Sequence, residues 1–269
     1  MTAPAHTKEN TGEISLTRSA AGTGYLARVF RAEVADELKG IVREPTALFF
    51  SVLMPVGFFA LFSTMFSGDS TGGIPAATSM LATFGTFGVL SVTLMNPGIT
   101  VAQDRERGWL RAKQVSAVPI GVTLAAKVTA ALCYAVGVLL AMTGAAALTG
   151  SMGVTPVQLL RLDLVLLPGA LPFALLGLAV GFQAGPNAAA AILNAFLMPS
   201  AVVSGLWMPL EVLPDAFAHI APYLPTYHLA QVALAQVRGG AVGGHLLVLL
   251  GMTVLAAALA AVSYRHSRP

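Results

Sequence analysis

The residues best suited to contact chemistry crowd into one stretch, TVAQDRERGWLRAKQVSAVPI, Thr100 to Ile120. There Gln103, Asp104, Arg105, Glu106, Arg107 and Arg111 surround Gly108, Trp109 and Leu110. Ions of both signs around an apolar tip suit docking on another protein, and Gly108 lets the backbone bend beside that tip. The plain alternative is a solvated turn, basic only to orient a membrane chain. Other chemical groupings are sparse. Asp215 and His219 share one helical face at four-residue spacing, with His228 nearby. Placement in an interfacial belt explains them better than a metal site, so no metal ligand is assigned. Cys133 stands alone, which leaves no disulfide or thiolate metal site to propose. No Lys follows a Gly, so the sequence lacks the Walker A loop that cradles nucleotide phosphates. No catalytic residue is assigned, and the chain is read as a non-enzyme.

Membrane helices are the elements that must carry this segment. Of 269 residues, 56% are hydrophobic and 10% charged, and the mean hydropathy is +0.77. A soluble domain carries about 25% charged residues, so this chain could not cover its surface in water. A helix crossing a bilayer core takes about 20 apolar residues. Runs of that kind lie at about 46–66, 74–102, 121–149, 164–182, 188–208 and 241–264. Gly185-Pro186 punctuates the long uncharged stretch between the fourth and fifth of them. Lipid offers no hydrogen bonds, so each run must be helical or buried. The expected fold is all-α, a polytopic membrane protein with six transmembrane helices over residues 45–264. None carries Asp, Glu, Lys or Arg near its middle, which disfavours a carrier driven by protons or sodium. Energy must then enter from a partner, and the charged loop is the obvious port.

Of the 15 Lys and Arg residues, all except Arg161 and Arg238 fall on one side of this topology. That side is cytoplasmic by the positive-inside bias, and it holds both termini and the charged loop. The net charge of +3 reflects topology and does not call for nucleic acid. Residues 1–24 are polar, lack the apolar core of a signal peptide, and read as a flexible cytoplasmic tail. Residues 265–269 form the other tail. Between tail and membrane, residues 25–44 place Leu26, Val29, Phe30, Val34, Leu38, Ile41 and Val42 at helical spacing. Arg28, Arg31, Glu33, Glu37 and Lys39 fill the positions between, with Arg43 and Glu44 at the end. Such an amphipathic helix lies in the membrane interface with its apolar side toward lipid, or else packs on the protein's own cytosolic surface.

The run REPTALFFSVLMPVGFFALF, then DRERGWLRAKQVSAVPI and Lys127, resembles the membrane subunit of ABC type-2 exporters. These are drug- and antibiotic-export permeases of the daunorubicin-resistance kind. That family carries an acidic-basic pair, Gly-x-Leu, then a Pro and a Lys across the loop between spans two and three. Arg105-Glu106, Gly108-Trp109-Leu110, Pro119 and Lys127 match it. Trp109 stands where Thr is usual, so the local contact differs. A second match lies in Ser204-Gly205, Trp207-Met208-Pro209, Leu213-Pro214 and Pro222-Tyr223-Leu224-Pro225. Independently of the family, these prolines cut the chain into pieces too short to span. Phe217, Ile220, Leu229 and Val232 make the pieces too apolar for a free loop. Short re-entrant helices meet both demands.

The resemblance extends over most of the chain from Tyr25, and it implies a permease subunit in a bacterial plasma (inner) membrane. It implies a dimer, taken as a homodimer, with separate ATP-hydrolysing subunits docked on Gln103 to Arg111 as the coupling segment. ATP and Mg2+ would belong to those partner subunits, and no cofactor is assigned to this chain. Ser204, Gly205, Trp207, Pro209, Pro214, Pro222 and Pro225 would form an outer gate. The cargo it implies is a hydrophobic or amphiphilic compound: a drug, an antibiotic or a lipid-like molecule, moved as efflux. Met54, Phe58, Phe62, Asn96, Asn194 and Met198 are the candidate lining of the route, with helix packing or lipid contact as their alternative role. The alternative function is a non-transporting membrane scaffold whose charged loop recruits a cytosolic partner.

Overall fold

Proline and glycine set most element boundaries in the computed structural model, which describes residues 11–66, 68, 70–71, 74–114, 118–150 and 153–267. Helix α1 runs Thr11–Val42 and stops ahead of Pro45, where a following proline pushes the backbone out of helical geometry. Then come α2 (Pro45–Leu48), a π-helical turn (Phe49–Leu53) and α3 (Met54–Met65). Pro55 explains the π turn: it has no N–H to return to residue 51, and its ring crowds that carbonyl. A two-residue antiparallel ladder, β1 (Ser70–Thr71) with β2 (Ile74–Pro75), leads into α4 (Ala76–Glu106). Gly108, at φ +71°, turns the chain between α4 and α5 (Trp109–Gln114). Helix α6 (Ile120–Leu148) starts directly after Pro119.

The second half repeats this punctuation. Helix α7 (Pro156–Gly169) opens on a reciprocal cap. Gln158 N–H donates to Thr155 Oγ1 at 3.3 Å, and Thr155 N–H donates to Gln158 Oε1 at 2.9 Å. Helix α8 (Leu171–Gly181) continues it past a break at Ala170, between Pro168 and Pro172. Then follow α9 (Pro186–Val203), the short α10 (Asp215–Ile220), α11 (Pro225–Arg238) and α12 (Gly243–His266).

Among the described residues, five helical runs are long and apolar enough to cross a membrane: α4, α6, the α7–α8 pair, α9 and α12. The first expected span, 46–66, is helical but composite, and its apolar run Ser51–Met65 is shorter than the other five. Three boundaries differ from expectation. Residues 11–24, expected as a loose tail, are the opening turns of α1; Ala, Leu and Arg among them are good helix formers. Residues 1–10 and 268–269 of the two expected tails lie outside the described residues. The span expected from 164 begins at Pro156, because the Thr155 cap starts the helix eight residues earlier, ahead of Arg161 and Asp163. The span expected to reach 208 stops at Val203, where Gly205 (φ +73°) lets Leu206 N–H reach back to the Ala201 carbonyl at 2.9 Å.

Helix α4 is the axis of the molecule, packed by α3, α6, α8, α9 and α11. Its closest partner is α8, and glycines decide that distance. A Cβ on Gly177 would lie 2.2 Å from the Leu94 carbonyl oxygen, and one on Gly181 would lie 2.1 Å from that of Gly98. Gly185, at the same four-residue spacing, meets nothing within 4 Å and instead precedes α9. The small-residue stripe thus ends at Gly181.

Candidate functional site

The charged segment divides into an anchored base and a free tip. Arg105 turns inward: its guanidinium donates to the Phe182 carbonyl and, at 2.9 Å, to the Ala184 carbonyl. Those oxygens follow the C-terminal end of α8, where a cation meets unsatisfied carbonyls and the negative end of the helix dipole. Leu110 is buried, packed with Val101, Leu178 and Phe182. Gln103 and Asp104 are half-buried. Glu106, Arg107 and Trp109 face outward, with Trp109 56% exposed. The Arg111 side chain lies outside the described ones. An exposed indole beside exposed Glu106 and Arg107 thus forms a knob on a base held by Arg105 and Leu110.

Three ion pairs fix that base. Lys127, only 2% exposed, sits on α6 between Glu37 at 2.6 Å and Asp104 at 2.8 Å. The Asp104 contact is ionic without hydrogen-bond geometry. Lys113 pairs with Glu33 at 2.5 Å. Glu33 and Glu37 are one helical turn apart on α1, so α1, the end of α4, α5 and the start of α6 are joined by charge. A second link joins the same end of the bundle. Gln183 Nε2 donates to the Ser263 carbonyl at 2.9 Å, and the rings of Phe182 and Tyr264 lie 5.4 Å apart. The loops expected on the cytoplasmic side therefore meet in one place.

Helix α1 departs from the lipid-facing reading. Its half-buried positions are Leu26, Val29, Phe30, Glu33, Val34, Glu37 and Leu38, with Ile41 buried. This face packs on α6, because two carboxylates on it need the lysines of the protein rather than lipid. Arg28, Arg31, Arg43 and Glu44 are exposed on the opposite side. Sequence reasoning missed Glu33 and Glu37 as partners; the available signal was Lys127, a cation inside an apolar run that demanded a counter-ion.

The expected outer-gate residues come together at the other end. Ser204 ends α9, and its hydroxyl lies 2.5 Å from that of Thr226 in the first turn of α11. Gly205 makes the turn, and Leu210 closes over it where a Cβ would stand 2.9 Å away. Trp207 packs edge-on to Phe87 at 5.3 Å and to Phe58 at 6.3 Å. Pro209 and Pro214 precede the 3-10 turn Leu210–Val212 and α10. Pro222 sits in the turn Ala221–Tyr223, and Pro225 opens α11, where a missing N–H costs nothing. Beneath this element lies a cavity of about 420 Å³, lined by Ser204, Gly205, Trp207 and Pro209 among others.

His219 and His228 do not converge. The His219 ring bonds the Asp215 backbone carbonyl at 2.8 Å, while His228 faces His245, Nδ1 to Nδ1, at 2.9 Å. Residues 68–72 read Gly-Asp-Ser-Thr-Gly, the spelling of a hydrolase nucleophile turn. Ser70 nevertheless lies in the two-residue ladder rather than at a strand-to-helix elbow.

Of the six candidate route residues, Phe62 lines the outer cavity and the other five are not among its lining. Phe62 stacks on Phe84 at 5.9 Å, and Phe58 packs on Phe62 and Trp207. Met54, Asn96 and Met198 are half-buried. Asn194 is exposed on α9, its amide bonded to its own helix at Ala190.

Known proteins share this arrangement of sequence. Residues 28–237 match the family described as ABC-2 type transporter. The chain is also similar to a Bacillus subtilis (strain 168) protein named "Putative transport permease YvfS", at 28% identity over 212 residues, 79% of this chain and 86% of that protein. The family match runs from α1 through α11, across both the anchored knob and the outer element, and the chain belongs to the ABC-2 type transporter family as a multi-pass membrane permease.

Proposed function

We propose that this permease is the membrane half of an ATP-driven exporter in a bacterial plasma membrane. It works as a homodimer and moves a hydrophobic or amphiphilic compound outward. Both termini and the knob face the cytoplasm, where a separate ATPase subunit, carrying the ATP and Mg2+, docks on Glu106, Arg107 and Trp109. The observation that carries this reading is the contrast between tip and base. Trp109 is exposed, whereas Arg105, Lys113 and Lys127 tie the base to α8, α1 and α6. Force applied to such a tip moves helices, because packed elements respond as rigid bodies. Closure of the ATPase subunits then shifts α4, α6 and α8 together and opens the route toward the outer element.

Co-purification with the ATPase subunit, followed by ATPase and transport assays in vesicles, tests the proposal. R107A/W109A is expected to lose the partner or its stimulation by at least about tenfold, the effect of removing one buried hot spot, with membrane insertion unchanged. Transport at the wild-type rate in that variant would sink the knob as the coupling element. Partner binding without any ATP-dependent transport would instead favour the scaffold.

A further inference from the structure

The outer cavity has a chemical bias of its own. Phe62, Phe66, Met80, Trp207, Leu210 and Leu234 give it mostly apolar walls. Into these walls α11 delivers one cation, Arg238, its last residue. The guanidinium is half-buried and donates to the Ser79 hydroxyl, from Nε at 3.1 Å and from Nη2 at 2.9 Å. Its other N–H donors have no partner among the described residues, and no described carboxylate lies within 4.0 Å. Glu211 lines the same cavity but is exposed, so water can satisfy it. The indole N–H of Trp207 is likewise buried without a partner. A half-buried guanidinium that faces apolar walls with donors to spare is favourably completed by an anion, through charge-assisted hydrogen bonds. Gln231 adds an amide to the lining, and a volume of about 420 Å³ is in the range of small-molecule sites.

We propose that this cavity binds the head of an anionic amphiphile, the acidic group on Arg238 and the apolar part along Phe62, Met80 and Trp207. The proposal deepens the export reading by naming a charge class for what occupies the outer element, and it rests on that reading for direction only. Two sources share this chemistry: an acidic bilayer lipid, and a free acidic amphiphile arriving as cargo. Selection here would follow charge first and shape second, since the guanidinium offers a planar donor fork and the lining offers no other cation.

Fluorescence separates the possibilities, because the chain holds only two tryptophans, Trp109 and Trp207. In the W109F protein, reconstituted into phosphatidylcholine vesicles, Trp207 alone reports on the cavity. Brominated phosphatidylglycerol, brominated phosphatidylcholine and a brominated fatty acid are titrated as quenchers at matched mole fractions. Quenching by either acidic probe beyond that by phosphatidylcholine is expected, with apparent affinity roughly tenfold lower in R238Q, as for loss of a charge-assisted hydrogen bond. R238K, which keeps the charge, should retain most of the preference. Preference for the fatty acid alone identifies the free amphiphile, preference for phosphatidylglycerol alone identifies lipid, and both support the site. Equal quenching by all three probes, or an acidic preference unchanged in R238Q, overturns it. Either overturning result leaves the knob experiment untouched, since no partner subunit or nucleotide is present in the vesicles.

Discussion

Gly177, Gly181 and Arg105 act at the scale of single atoms. Where α4 meets α8, the backbones approach so closely that a methyl group would collide with carbonyl oxygens at 2.2 Å and 2.1 Å. Neither oxygen can give way without moving its helix. G177A or G181A is expected to cost about 1–3 kcal/mol through overpacking, read as a lower midpoint of thermal aggregation in detergent. G185A serves as the control, because its neighbourhood is open; equal loss in all three variants would show that the contact is not responsible. Arg105 belongs to the same scale. Its charge looks like part of a docking surface in the linear sequence, yet it spends its donors on the carbonyls of Phe182 and Ala184.

At the scale of elements, the buried lysine of α6 decides how the end of the bundle that carries the knob holds together. Lys127 faces Glu37 of α1 and Asp104 of α4, and removing it leaves two carboxylates close together without their cation. K127M is expected to destabilise the protein by about 3 kcal/mol, near the low end for a broken buried pair because both carboxylates keep some solvent. E37Q should cost less, since Asp104 still answers Lys127. Chemical denaturation monitored by tyrosine and tryptophan emission measures both, and a milder effect for K127M than for E37Q would contradict the shared-lysine arrangement. Much of the element pattern was legible beforehand. The amphipathic spacing of residues 25–44 and the apolar runs predicted helices in the right places. The face that α1 turns inward was not legible, since spacing ranks apolarity and cannot show that Glu33 and Glu37 have lysines waiting.

The whole molecule has two distinct ends. One gathers α1, the knob, the turn after α8 and the end of α12, and the other gathers the short helices, the cavity and Arg238. We propose, from the positive-inside bias, that the first end faces the cytoplasm. In a C133A background, A112C beside the knob and Y223C on the outer turn test this directly, as both positions are exposed. A membrane-impermeant maleimide should label Y223C in intact cells and A112C only in inverted vesicles. The reverse pattern would invert the topology and with it the direction of the export reading. Cys133 itself, exposed on the side of α6, should react with an apolar maleimide and resist the impermeant one.

Composition and periodicity alone determined that this chain is a helical membrane protein with one charged, apolar-tipped segment, because the bilayer punishes unpaired backbone and mid-span charge in every fold alike. The proline-cut outer element was readable for the same reason: prolines act locally. Tertiary structure alone decided which ions point inward, that Lys127 serves two helices, and that Ser79 and Arg238, far apart in the chain, meet at one cavity. Those outcomes depend on which helix faces approach each other, and close approach through Gly98, Gly177 and Gly181 sets the rotation of α4 against α8. Rotation about a helix axis leaves hydropathy unchanged while exchanging every partner, so only the packed molecule reveals it.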